Sequence, residues 1–149
     1  METGWPNCPR YFRGDYQNLK TKFTGAENIE NNWSQSMQDM FVLSMLDGKR
    51  NGVYVEIGAD QPRVISNSYL LEKDFDWAGV SFELDGDKVI YFNSIRRNKC
   101  LCEDATTYDY KFLFEDRNFP KQIDYLQLDI DPAEGTLAAL KALPLDDYR

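Results

Sequence analysis

Val53-Tyr54-Val55-Glu56-Ile57-Gly58-Ala59-Asp60 is the stretch on which the reading of the whole chain turns. Its β-branched and aromatic run reads as a buried strand that ends acidic and turns at a glycine. In doubly wound α/β sheets, small molecules bind beyond the carboxyl ends of such strands. Gly58-Ala59-Asp60 is therefore expected to form a ligand-binding loop. The alternative is an ordinary core strand with a turn after it, and the flanking sequence has to decide.

Upstream, a helix is expected from about Ser34 to Leu46, with Ser34 as N-cap and Met37, Met40, Phe41 and Met45 on one buried face. Asp47-Gly48 stops it, and Lys49-Arg50-Asn51-Gly52 turns into the strand. Residues 1–32, with Pro6, Pro9, Gly14, Gly25 and many Asn, show no sustained period and read as an irregular arm. Its aromatics, Trp5, Tyr11, Phe12, Tyr16 and Phe23, are expected to pack. Downstream, Ser66 is expected to cap a short helix ending near Lys73. Val80–Leu84 is a second strand, and Asp85 or Asp87 caps a helix that turns Val89, Ile90, Phe92 and Ile95 inward. Lys99–Cys102 forms a third strand, residues 105–121 a connection, and Ile123–Asp129 a fourth strand. A last helix starts with Asp131 as N-cap, Pro132 at N1 and Glu134 closing a capping box. It buries Leu137, Leu140 and Leu143 and ends at Pro144. This alternation predicts an α/β fold with a parallel, Rossmann-like sheet.

Composition narrows the chemistry. The 149 residues suffice for one domain with a real core. There is no histidine, so Ser-His-Asp and Cys-His catalysis, imidazole acid/base chemistry and His-ligated zinc are excluded within this chain. Asp and Glu number 25 against 17 Lys and Arg, which argues against nucleic acid, whose binding is mostly electrostatic. No apolar stretch approaches the roughly 18 residues of a membrane span, and the polar, Pro-containing start does not read as a signal peptide. Three cysteines, Cys8, Cys100 and Cys102, leave at least one unpaired. Cys100 and Cys102 share one strand face, so a reducing, cytoplasmic setting is expected.

Every expected strand ends near a carboxylate: Glu56, Glu83, Asp104 and Asp129. In a parallel sheet these ends share one rim. A ribose takes a carboxylate that accepts from its two hydroxyls, and an adenine amine or a cationic ligand favours another. The alternative is that acids at strand ends cap the following helices. The first loop lacks Gly-x-Gly-x-x-Gly and there is no Walker lysine loop, so a cofactor without phosphates is the better fit.

Trp33-Ser34-Gln35-Ser36-Met37-Gln38-Asp39-Met40-Phe41-Val42-Leu43, followed by Gly52-Val53-Tyr54-Val55-Glu56-Ile57-Gly58-Ala59, resembles the start of the FkbM-type methyltransferases. In that family a Ser-Gln-x-x-Gln-Asp helix leads to a Gly-x-x-x-(Asp/Glu)-x-Gly-Ala strand. Ser66–Lys73, Trp77–Val80, Phe82-Glu83 and Ile123–Asp131 resemble its later motifs, so the likeness spans roughly residues 33 to 145. The resemblance implies a class I S-adenosyl-L-methionine fold over residues 33–149. Glu56 and Gly58, with Ala59 and Asp60 in the loop, would lie beneath the methionine moiety. Glu83 would hold the ribose hydroxyls, Asp104 and Ala105 would meet the adenine, and Asp129 would lie near the methyl group. Ser66 and Asn67 are candidates for direct or indirect cofactor contacts.

This chain departs from the family at Asp60-Gln61-Pro62, where relatives carry a glycine-containing turn. The family's sheet also has seven strands, and the fifth would begin just after Tyr148. The expectation is thus a cofactor-binding half, with the edge of the fourth strand, Tyr125 to Ile130, open to homodimerisation. The expected activity is methyl transfer to oxygen on a small molecule or sugar, with Asp129 or Asp131 as base. The other readings are a methyltransferase-like domain that binds cofactor or dimerises without turnover, and a sugar-nucleotide transferase using Asp85-x-Asp87 or Asp129-x-Asp131 as a metal site.

Overall fold

The computed structural model describes residues 22–148, together with residues 17 and 19. Trp5, Tyr11, Phe12, Tyr16 and Cys8, and with them most of the expected arm, lie outside the described residues. The chain divides into two compact units. One is drawn from residues up to Gly52 and from Gln61–Trp77; the other comprises Val53–Asp60 and the chain from Ala78 onward.

The second unit holds the sheet. Strands β1 (Val53–Ile57), β2 (Ala78–Phe82), β3 (Lys99–Leu101) and β4 (Tyr125–Leu128) are all parallel, in the order β3-β2-β1-β4. Five α-helices occur among the described residues: α1 (Gln38–Met45), α2 (Tyr69–Phe75), α3 (Gly86–Ile95), α4 (Tyr110–Asp116) and α5 (Ala133–Ala142). The α/β architecture with a parallel sheet expected from the alternation is therefore present, and it is compatible with a Rossmann-like fold. No helix among the described residues is long and apolar enough to cross a membrane.

Because side chains alternate along a strand, the sheet sorts its residues onto two faces. Val55, Ile57, Val80 and Phe82 enter a core with Tyr110, Leu113 and Phe114 of α4, Ala139 of α5 and Leu143 at its C-cap. The opposite face carries a buried polar row in register across all four strands: Cys100, Ser81, Glu56 and Gln127. The turn at Gly58 sets how β1 meets β4. Its φ is +82°, and a Cβ there would lie 1.9 Å from the Asp129 carbonyl oxygen. Only glycine combines that left-handed backbone with so close an approach.

Several local expectations are corrected. Residues 105–121 are not a bare connection, since α4 lies within them and its N-cap Asp109 accepts from Phe112 N at 3.0 Å. Helix α3 takes Asp85 as its cap and buries Val89 and Phe92, whereas Ile90 is 71% exposed. Helix α5 buries Ala139, with Leu143 buried at its C-cap, and leaves Leu137 and Leu140 exposed. Asp131 does not cap α5: Pro132 stands at the N-cap with no side-chain cap, and the Asp131–Pro132 bond is cis. Thr136 closes that turn instead, its Oγ1 accepting from Ile130 N and donating to Ile130 O.

In the first unit, α1 begins later than expected and Ser34 is not its cap. The bonding is instead reciprocal, with Ser34 Oγ accepting from Asp39 N at 3.3 Å. Asp39 in the first turn reaches back, its carboxylate accepting from Trp33 N, Ser34 N and Ser34 Oγ. The expected Met face also fails, for Met40 is buried with Val42 and Leu43 while Phe41 and Met45 are exposed. The unit packs around Trp77, fully buried, whose indole Nε1 donates to Lys49 O at 2.7 Å.

Candidate functional site

Register places the strand ends level. Ile57 pairs with Phe82 on one side and Leu128 on the other, and Phe82 pairs with Leu101. The residues that follow each strand therefore meet in one crevice. A cavity of about 290 Å³ opens there, near the lower end of ligand-pocket sizes. Its apolar lining comes from Ile57, Phe82, Leu84, Ala105 and Ile130. Around them stand the carboxylates of Asp60, Glu83, Glu103, Asp104, Asp129 and Asp131, with Lys88 and Thr106.

Glu83, the first residue beyond β2, is the best-held of these acids. Its Oε2 accepts from Asp60 N at 3.0 Å, and its Oε1 from Leu84 N at 2.8 Å and Asp85 N at 3.0 Å. Three backbone donors fix its position. Asp104, beyond β3, is ordered differently. Its Oδ1 accepts from Thr106 Oγ1 at 2.7 Å and from Thr106 N at 2.8 Å. These bonds hold its carboxyl below the usual carboxylate range, the hydroxyl contributing most.

Asp60 meets Lys88 of α3 at 2.5 Å, with about two-fifths of each side chain exposed. The hydrogen bond and the charge of Asp60 raise the Lys88 ammonium above its ordinary value, more than burial lowers it. A pair this exposed adds only about 0.2–1 kcal/mol to stability. Asp129 and Asp131, beyond β4, are both exposed at the cavity.

The ladder of strand-end acids thus holds at three of its four positions. Glu56 is the correction. It lies inside β1, 2% exposed, on the sheet face opposite Val55 and Ile57. Ser81 Oγ donates to its Oε2 at 2.7 Å, and it does not line the cavity. Ala59 is a second correction, because it is buried with Val89, Phe92 and Cys100. The N–H groups of Gly58 and Ala59 both donate to Phe82 O at 3.0 Å, so the first loop turns neither amide toward a ligand. Ser66 and Asn67 belong to the first unit and do not line the cavity. Ser66 does serve the start of α2, where its Oγ accepts from Tyr69 N at 3.2 Å.

Cys100 and Cys102 are both free thiols and do not share an environment. β3 ends at Leu101, leaving Cys102 exposed while Cys100 is buried. Burial, reinforced by the charge of Glu56, pushes the Cys100 thiol up to about 12. Among the described residues no group of three or more Cys, Asp or Glu side chains is arranged to hold a metal ion. Asp85 spends its Oδ1 on Asp87 N and Lys88 N.

Sequence reasoning missed Lys88, Glu103, Thr106 and Leu84 as cavity residues. For Lys88 a signal was available: it sits in the first turn of the helix after the strand ending at Phe82, and such first turns border the crevice. Thr106 was legible as the second residue after Asp104, the spacing of an Asx turn. The fold and the cavity define the class, a parallel α/β domain with an acid-rimmed site at the carboxyl ends of its strands. Comparison with protein-family models, curated proteins and solved structures gave no match for the chain.

Proposed function

We propose that this chain is an S-adenosyl-L-methionine-dependent methyltransferase domain of the class I, FkbM-like type, acting on a hydroxyl of a small molecule or sugar. One observation carries the reading. Glu83, Asp104 and Asp129, from the ends of three parallel strands, surround one cavity whose first loop presents no glycine-rich phosphate cradle. The donor set suits a ligand with hydroxyls, an amine and a positive charge, and opposes one with phosphates. Glu83 would accept from the ribose hydroxyls and Asp104 from the adenine amine, with Leu84 and Ala105 offering apolar contact. The cofactor, when bound, supplies a methyl group on a positively charged sulfur.

The chain's own part is positioning and proton transfer. Orientation of acceptor and methyl group in the cavity supplies much of the acceleration. The acceptor oxygen would gain its bond to carbon as the sulfur–carbon bond breaks, the sulfur keeping the electron pair, and the oxygen's proton would pass to a carboxylate oxygen of Asp129 or Asp131 and then to water. The setting belongs to the same reading: a cytoplasmic protein, consistent with the free Cys100 and Cys102.

Calorimetric titration with S-adenosyl-L-methionine tests the reading. Saturable heat is expected for the chain, and its loss in Glu83→Ala with the fold retained. No heat at millimolar ligand would overturn it. A second reading, a domain that binds cofactor or dimerises without turnover, is favoured by β4, which has a sheet neighbour on one side only among the described strands. Such an edge can template pairing with a second copy. Sedimentation as a dimer, with cofactor bound and no hydroxyl ever methylated, selects this reading over the first.

A further inference from the structure

The charge around the cavity is strongly one-sided. Six of its lining residues carry carboxylates, and Lys88 is the one cation among the described lining residues. That cation is already engaged by Asp60. Two of the acids are also held in place by fixed donors: Glu83 by three backbone N–H groups and Asp104 by Thr106. Hydrogen bonds to a carboxylate favour its charge, and at Asp104 the Thr106 bonds hold the carboxyl below its usual range; at both acids the donors fix where the carboxylate stands when a ligand enters and displaces water. The field at the centre of the cavity is therefore built in.

We propose that this cavity sorts its ligand by charge, holding the sulfonium cofactor more tightly than the neutral thioether left after methyl transfer, and that Lys88 limits this preference by neutralising Asp60. The inference rests on the methyltransferase reading above. Cofactor and product differ by one methyl group and one positive charge. Every contact to ribose, adenine, amine and carboxylate is common to both and cancels in the comparison. What remains is the interaction of one charge with the carboxylates around it. For a half-open site, with an effective dielectric nearer water than protein, a preference of about tenfold at low salt is the expected size. Most enzymes of this kind must expel their product before the next turnover, and a field that releases the neutral form does part of that work. Lys88 is thus a specificity-determining residue, acting through the charge it offsets.

The test is a set of dissociation constants for three probes on the intact chain: S-adenosyl-L-methionine, S-adenosyl-L-homocysteine, and an analogue with an amine in place of the sulfonium. The amine carries the charge without the methylated sulfur, and so separates charge from shape. At about 10 mM salt the two cations are expected to bind about tenfold more tightly than the thioether. At about 300 mM, where the screening length is well under 10 Å, the gap should shrink to about threefold or less. Lys88→Met is expected to widen the low-salt gap by about twofold to threefold, and Asp129→Asn to narrow it. Unchanged circular dichroism and melting curves confirm that both variants fold, as expected for exposed or half-exposed positions. Equal affinity for all three probes, with no salt dependence, overturns charge sorting while leaving the methyltransferase reading intact. A salt-dependent gap that Lys88→Met leaves unchanged overturns the role of Lys88. If none of the probes binds, the functional reading fails and this inference falls with it.

Discussion

Glu56 and Glu83 look alike in sequence, each an acid near the end of an apolar strand, yet they occupy opposite kinds of region. Glu56 belongs to the buried row beneath the strand ends, in register with Ser81 and Gln127. Glu83 belongs to the rim, two residues beyond Ser81, where the strand has ended and backbone donors gather around its carboxylate. A single step along the pleat separates the sheet's two faces. The difference teaches that an acid near a strand end becomes a site residue only when it falls after the last paired residue. Two positions earlier, level with Ser81, it is a structural group, sealed from solvent and satisfied by a neighbour.

The largest expected effect comes from the hinge between the two regions. Gly58→Ala puts a Cβ against the Asp129 carbonyl at a positive φ. It should cost about 3–5 kcal/mol in chemical denaturation and blur the distinction between row and rim. Next is the contrast itself. Glu56→Ala leaves Ser81 facing a cavity in a buried row and should cost about 2–3 kcal/mol, whereas Glu83→Ala should cost about 1 kcal/mol because its donors can reach water. The effects on the proposed binding of S-adenosyl-L-methionine should run the other way, with loss in Glu83→Ala and retention in whatever fraction of Glu56→Ala stays folded. Equal stability losses in the two variants would erase the comparison.

The smallest effect sharpens the rim. Thr106→Val removes the hydroxyl that contributes most to holding the Asp104 carboxyl below its usual 3.8. Asp104 is lowered in the fold, so its contribution to stability is present above the ordinary value and drains as pH falls through the lowered one. The variant should move the Asp104 titration upward, as read by side-chain carbonyl NMR, and start that loss at a higher pH. An unmoved titration would show that the backbone donor alone sets it.

Much of this was legible from residues alone. The run Val53–Ile57, a cap at Asp85 or Asp87 and the acids Glu83, Asp104 and Asp129 follow from alternation, capping chemistry and strand-end placement, all of which are local; the structure takes Asp85. The helix faces were misread for a shared reason. α1, α3 and α5 each carry more apolar residues than one stripe can bury, so Phe41, Ile90 and Leu137 fit an inward pattern as well as Met40, Phe92 and Ala139 did. α4 was missed because residues 105–121 read as a connection rich in aromatics and charges, while Tyr110, Leu113 and Phe114 pack with Val55, Ile57 and Phe82.

The sequence by itself determined that this is an alternating α/β chain without histidine, with a glycine turn after its first strand and acids at its strand ends. These properties depend on residue type and on neighbours a few positions away. Tertiary structure alone decided that Glu56 turns into the sheet's buried face, that Gly58 is required by the Asp129 carbonyl, and that Lys88 comes to face Asp60. Each depends on the register between strands or on the approach of segments distant in the chain, and neither is encoded in the periodicity of any one segment.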